Sequence, residues 1–257
     1  MTTSEEGPVR GRIALHGGGE FEGGDEPFLD ALVAAARPAI PGSALRIVVV
    51  PVAAARERPK ASANHGIAAL KRAAARAGIP AQVEAALVVD RDAAEDQVLA
   101  ARLAAADLIY LPGGHPDLVP AILEGTFAWR SILAAHERGA VVAGASAGAM
   151  GLAGRTWTPG GWQAGLGLVP GLFVVPHFGM FESDLGAWAT TIAELEAAGF
   201  GRLGLDERTG IISTDGADGP WQVAGEGRAH WFPLGGGERV VAAHGESLTL
   251  ARGKPRR

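Results

Sequence analysis

The apolar run Gly139-Ala140-Val141-Val142-Ala143-Gly144-Ala145 stops at a serine hemmed in by small residues, in Ala145-Ser146-Ala147-Gly148-Ala149-Met150. Such a run predicts a buried strand, and the residues beyond it suit the start of a helix. A strand that turns directly into a helix holds its corner residue in a strained backbone conformation with the side chain exposed, and only Gly or Ala fit beside it. Gly144-Ala145-Ser146-Ala147-Gly148 therefore fixes one strand, turn and helix, and makes Ser146 a candidate nucleophile.

Reading outward from that unit, the first 150 residues alternate apolar runs with helical patterns, which implies a parallel sheet with right-handed crossovers. Strands are expected at 13–16, 45–50, 83–89 and 107–111, with helices at 27–36, 62–77, 95–106, 116–124 and 126–138. The run Leu45-Arg46-Ile47-Val48-Val49-Val50 is almost continuously apolar, as parallel strands covered on both faces are. Beyond the serine, 151–171 reads as loop with short strands, 172–176 as a strand, and 184–198 as a helix with Ser183 as N-cap and Gly199 after its end. Residues 211–213, 221–223, 229–231 and 247–250 read as short strands and hairpins. The fold class is α/β, a doubly wound and mostly parallel sheet flanked by helices with short C-terminal hairpin strands. The chain reads as one domain over 1–257, with 1–10 as a flexible tail.

Composition narrows the function. With 47% hydrophobic residues, 20% charged residues and a net charge of −5, the 257-residue chain shows neither a nucleic-acid footprint nor a membrane-surface patch. It contains no cysteine, which excludes disulfides, thiolate metal ligands and a cysteine nucleophile. No run approaches the roughly 18 apolar residues of a spanning helix, and the polar N-terminus lacks the apolar core of a secretion signal. A cytoplasmic protein acting on a small molecule or peptide is expected, without cofactor or metal; homodimer formation is left open.

A serine nucleophile needs a base, a group that orients the base, and donors for the developing oxyanion. Of seven histidines, His177 is the strongest base, since it follows Val174-Val175-Pro176 at a predicted strand end. His115 and His16 also stand at strand ends beside glycines, whereas His65, His136, His230 and His244 fall in helices or peripheral hairpins. Asp206 and Glu207 precede an apolar strand and could orient the base; Glu182 and Asp184 suit helix capping. Gly113 and Gly114 form a turn whose amides could join that of Ala147 in an oxyanion hole. Gly17-Gly18-Gly19-Glu20 lacks the spacing and lysine of a phosphate loop. Two triad orders remain: Ser146, His177 and Glu207, or the α/β-hydrolase order, in which Ser146 pairs with Asp206 or Asp215 and then His230 or His244.

Four segments in order resemble the serine peptidase family of cyanophycinase and aspartyl dipeptidase (dipeptidase E), which has a class I glutamine-amidotransferase-like fold. They are Gly17-Gly18-Gly19, Tyr110-Leu111-Pro112-Gly113-Gly114, Ala145-Ser146-Ala147-Gly148-Ala149, and Gly165-Leu166-Gly167-Leu168-Val169-Pro170 leading to His177-Phe178. Gly204-Leu205-Asp206-Glu207 is similar to the stretch that carries the acid in cyanophycinase-type members. The resemblance implies Ser146 as nucleophile, His177 as base, Glu207 as its orienting group, and Gly114 and Ala147 as oxyanion donors, with Gly113 and His115 lining the site. The implied activity is hydrolysis of a small peptide or isopeptide. An α/β-hydrolase-like esterase and an inactive amidotransferase-like binding protein are the rival readings. His115-Pro116 stands where cyanophycinases carry Asp-Gln and aspartyl dipeptidases often carry Asn, so neither specificity follows directly.

Overall fold

In a computed structural model, which describes residues 11–182, 189–234 and 237–250, the strands form two sheets. The N-terminal half supplies β1 (Ile13–His16), β2 (Leu45–Val49), β3 (Ala81–Ala85), β4 (Leu108–Leu111) and β5 (Val141–Ala145), all parallel in the order β3-β2-β4-β5-β1. β1, β4 and β5 are buried along their whole length. Because side chains alternate across a strand, each of them feeds two cores. Ile13, Leu15, Ile109 and Leu111 join one core beneath α4 (Gln97–Ala104) and α6 (Phe127–Glu137). Ala14, Leu108 and Tyr110 join the other with Phe28 and Leu32 of α1 (Glu26–Ala35) and Leu70 of α2 (Pro59–Arg76).

The expected doubly wound sheet is thus present, and its far edge is extended by antiparallel strands. β10 (Thr209–Ser213) pairs with β1, β11 (Trp221–Gly225) with β10, and β14 (Ser247–Leu248) with β11. A second sheet of six strands, not foreseen from the sequence, has the order β13-β12-β9-β8-β6-β7. It holds β6 (Ala153–Thr158), β7 (Gly161–Ala164), β8 (Val169–Val175), β9 (Gly201–Leu205), β12 (Arg228–Phe232) and β13 (Val240–Ala243). The stretch 151–171, read as loop with short strands, is in large part the hairpin β6-β7, on which Trp157 faces Trp162. The strand expected at 172–176 starts at Val169, because it pairs in parallel with both β6 and β9.

Local deviations have local causes. The helix expected over 95–106 is α4, which starts at Gln97 because the Asp96 side chain caps it, and a short helix not foreseen from the sequence, α3 (Arg91–Ala94), precedes it with Asp90 as its cap. Asp90 accepts the Ala93 amide at 2.7 Å, and Asp96 accepts those of Val98 and Leu99. The strand expected at 83–89 is β3, shifted toward the N-terminus by its pairing of Ala81 with Leu45. α2 begins at Pro59, whose missing N–H costs nothing in a first turn. The short helix α5 (Leu118–Leu123) packs against α7 (Ala147–Leu152), which follows the serine strand, and α8 (Phe178–Phe181) follows β8. α9 (Ala189–Ala197) precedes Gly199; the N-cap at Ser183, the turn from Asp184 and the tail 1–10 lie outside the described residues.

The strand-turn-helix unit depends on close backbone approach. A Cβ on Gly148 would lie 2.1 Å from the Leu111 carbonyl oxygen, so α7 packs against β4 only because that residue is glycine. Gly148→Ala is expected to cost at least about 2 kcal/mol, because carbonyl and helix must separate. Thermal unfolding should show a lowered midpoint, whereas Gly23→Ala, where an added Cβ meets nothing within 4 Å, leaves it unchanged.

Candidate active site

Ser146 lies at φ 47° and ψ −113°, between the end of β5 and the first residue of α7. This conformation is unfavourable for any residue with a Cβ and is sustained by tertiary bonds. The Ser146 amide donates to the carbonyl of His16 at 2.9 Å, and Gly144 and Gly148 touch so closely that a Cβ on Gly144 would lie 2.5 Å from the Gly148 carbonyl carbon. The side chain is thereby turned out of the sheet toward His177.

His177 follows β8 and occupies the left-handed region at φ 50°, ψ 35°. Its amide donates to the carbonyl of Gly17 at 2.7 Å. Its imidazole bridges two partners: Nε2 lies 3.1 Å from Ser146 Oγ, and Nδ1 lies 2.7 Å from Glu207 Oε1. A carboxylate can only accept, so Nδ1 carries the proton and Nε2 turns its lone pair to the serine hydroxyl. Both side chains are part-buried, His177 at 26% and Glu207 at 32% exposure, leaving the imidazole open to a substrate on one side.

Glu207 sits in the three-residue turn from β9 to β10, the segment that passes from the second sheet to the first. Arg208, next along, is at φ 54° and donates its amide to the Gly18 carbonyl at 2.7 Å. Gly17 donates in return to Thr209. A Cβ on Gly18 would stand 2.2 Å from the His177 ring, so this glycine forms the back wall of the imidazole. Beneath the loop, His16 and Asp25 are fully buried, with His16 Nε2 2.9 Å from Asp25 Oδ1, within ion-pair reach though off the line of a straight hydrogen bond. Asp25 also accepts the amide of Phe21 at 2.8 Å, and His16 Nδ1 accepts that of Gly18.

Asp206, the neighbour of Glu207, faces away from the serine. It accepts from His230 at 3.2 Å and from the Arg228 amide at 2.9 Å. Burial alone would raise its carboxyl, but these bonds outweigh burial and hold it below the ordinary carboxylate range. His230 is buried, accepts from Arg239 on its other nitrogen, and stacks on Phe178 with ring centres 4.6 Å apart. His244 Nδ1 accepts the Gly225 amide. The alternative order through Asp206 and His230 or His244 therefore places none of those histidines on Ser146.

The glycine turn divides in a way the sequence did not indicate. Gly113 donates its amide to Glu20 Oε1 at 2.7 Å, whereas Gly114, at φ +145°, is pressed against Ala53, whose carbonyl also takes the His115 amide. Ala147 is the first residue of α7, so its amide has no helical acceptor. His115 turns outward to Glu57 at 3.0 Å and is 41% exposed. Glu182 pairs with Arg239, and Asp184 lies outside the described residues. Sequence reasoning missed Glu20, the buried His16-Asp25 pair and the role of Gly18; their one signal was the triple glycine followed by a carboxylate. Among the described residues no group of three or more His, Asp or Glu is placed to hold a metal ion, and no helix is long and apolar enough to cross a membrane.

The model of peptidase family S51 matches residues 13–217, a span that holds every residue of this site. Among solved structures, a peptidase from an acI-B1 Actinobacterium is similar over 95% of this chain and 98% of its own, at 26% identity and a TM-score of 0.76. A candidate peptidase E protein from Listeria monocytogenes EGD-e shares the fold, at 14% identity and a TM-score of 0.51 over 91% of this chain and 98% of its own. No curated protein matches the chain.

Because Gly18 fixes the imidazole from behind, Gly18→Ala is expected to push His177 off the serine while the fold survives. The rate of labelling by a serine-directed fluorophosphonate should fall by about 100-fold, as for a misplacement of about 1 Å. Circular dichroism should remain that of the parent protein.

Proposed function

The chain belongs to peptidase family S51, a family of serine-type peptide-bond hydrolases, and from that premise we propose that Ser146, His177 and Glu207 cleave a small peptide or isopeptide through an acyl-enzyme. The observation that carries the assignment is the strained Ser146, with Oγ 3.1 Å from an imidazole whose other nitrogen is held by Glu207. Strain at a residue of this kind is maintained only where the surroundings enforce it.

In the first half-reaction Ser146 Oγ attacks the scissile carbonyl carbon as its proton passes to His177 Nε2. The carbonyl oxygen takes up the negative charge between the amides of Gly114 and Ala147, with Ala147 at a helix start. Collapse breaks the C–N bond, the imidazolium gives its proton to the leaving amine, and the acyl group remains on Oγ. Water then attacks the ester with His177 again accepting the proton, and the serine is regained. Glu207 takes no proton; it holds Nδ1–H and stabilises the imidazolium that forms twice per cycle. Gly113 borders the substrate through Glu20, whereas His115 faces Glu57 instead.

The setting proposed is the cytoplasm, with the described residues acting as one catalytic domain on a peptide, without nucleic acid or membrane. The steps above need one copy of the chain, so a homodimer would leave them unchanged.

Ser146→Ala should abolish fluorophosphonate labelling and turnover of dipeptides. Glu207→Gln should retain the fold but lower kcat by about 10²- to 10⁴-fold, since the amide can invert the proton arrangement on the imidazole. His177→Ala should lose turnover and His244→Ala should keep it; equal losses in both would remove His177 from the role of base.

A further inference from the structure

Among the described residues, β3 is the longest of the four strands that end a sheet, with five residues against four in β7 and β13 and two in β14. Its inner side is satisfied. The Leu45 amide donates to the Pro80 carbonyl at 2.8 Å and the Ala86 amide to the Val49 carbonyl at 3.0 Å, and the parallel register with β2 runs unbroken between these bonds. In such a ladder alternate residues bond toward the neighbour, so Pro80, Gln82, Glu84 and Ala86 serve β2. The amides and carbonyls of Ala81, Val83 and Ala85 point the other way, where the sheet has no further strand.

One face beside that edge is open as well. Gln82 and Glu84 are in register with Arg46 and Val48 of β2 and so share their face of the sheet. On this face α4 covers Val48, which is buried in one core with Leu103, but Gln82 and Glu84 remain exposed. A groove of about 900 Å³ is left between α4 and the edge of the sheet, and its α4 wall carries Val98 at 63% exposure. Parallel strands are ordinarily covered on both faces, so this half of β3 lacks the cover that the rest of the sheet has.

Charge decides what can fill the groove. Arg46, Lys71 and Arg102 line it with Glu84, three cations to one carboxylate in a chain of net charge −5. All three cations are exposed, and among the described residues none of them pairs with a carboxylate. By contrast, Asp117 engages Arg56, Asp30 engages Arg76, and Glu182 engages Arg239. Two copies of the chain meeting edge to edge would set the same cations against each other. A small anion would leave the outward amides of β3 unanswered.

An extended acidic chain meets both demands, because its backbone continues the ladder while its carboxylates answer the cations. We propose that the free edge of β3, with the groove beside it, is a docking site for an extended acidic polypeptide segment that binds as an added strand. Ala81, Val83 and Ala85 bond its main chain, and Arg46, Lys71 and Arg102 select its charge. The edge lies three strands from β5, about 14 Å at the usual strand spacing, so docking there leaves Ser146 uncovered and is independent of the serine chemistry.

The test uses the full chain and the peptide acetyl-Glu-Val-Glu-Val-Glu-Val-amide, whose carboxylates fall on one face of a strand. With saturating peptide, amide exchange followed by NMR should slow about tenfold or more at Ala81, Val83 and Ala85 and stay unchanged at Gln82 and Glu84, which already donate to β2. The Kd, read by fluorescence anisotropy, should rise about tenfold or more when Lys71→Glu and Arg102→Glu are combined, both at exposed positions. It should rise as much when the peptide amides are N-methylated, which keeps the charges and removes the donors. Exchange that is unchanged at the three outward amides overturns the proposal, and so does a double variant that binds the peptide as the parent does. An N-methylated peptide that binds equally well also overturns it, because the groove then reads charge alone. Protection of the same amides that grows with protein concentration in the absence of peptide does so too, since the occupant is then a second copy of the chain.

Discussion

Three consecutive carbonyls at the end of β1 hold the whole site together. His16 accepts the amide of Ser146, Gly17 that of His177, and Gly18 that of Arg208, next to Glu207. Each of the three bonds contributes only about 1 kcal/mol net to stability. Their importance is geometric: three segments separated by about 30 residues each are referred to one rigid strip of backbone. That strip is rigid because β1 is central, with β5 parallel on one side and β10 antiparallel on the other. The buried His16-Asp25 pair secures its exit into the glycine loop.

The strip also explains where strain resides. Ser146, His177 and Arg208 each take positive φ at the residue whose amide is drawn to one of the three carbonyls. At Ser146 and His177 a hydrogen bond from the amide and a side chain aimed at the cleft cannot both be met in an ordinary strand or helix conformation; at Arg208 the same corner follows Glu207, whose side chain is aimed at His177. The corner conformation meets both, at a cost of about 1 to 3 kcal/mol per residue that the surrounding core must offset. Two apolar cores, one on each face of the parallel sheet, supply that stability away from the chemistry.

Much of this was legible in the chain. Apolar runs ending in Pro or Ser identify β2, β4 and β5 without reference to anything distant, and Ser146 stands out because small residues flank it on both sides. The residues of the site were named from local pattern together with family resemblance; periodicity alone left two triad orders open. The second sheet was not legible, because β8 and β9 find partners across long intervening segments and their sequences hold no turn signal joining them. The start of α4 at Gln97 was available in principle, since Asp96 two residues before Val98-Leu99 is a capping residue. Glu20 was hidden for a different reason: a glutamate after three glycines looks like solvated loop until Gly113 is brought against it from 93 residues away.

The two sheets meet at the chemistry. Ser146 comes from the first sheet, His177 from the end of β8 in the second, and Glu207 from the turn that carries the chain between them. The distance between Ser146 and His177 is consequently set by how the sheets pack, and close packing there requires glycine. A Cβ on Gly17, just past β1 of the first sheet, would lie 2.1 Å from the carbonyl oxygen of Asp206, just past β9 of the second; within the second sheet, one on Gly204 would lie 2.4 Å from the Phe178 ring. Phe178 in turn rests on His230, which is held between Asp206 and Arg239. Proton transfer demands hydrogen-bond reach, so a shift of about 1 Å at this junction costs as much rate as a change in the chemistry itself. The geometry of the proposed triad therefore depends on the small residues of this junction as firmly as on the serine, above all on Gly17, where one sheet touches the other.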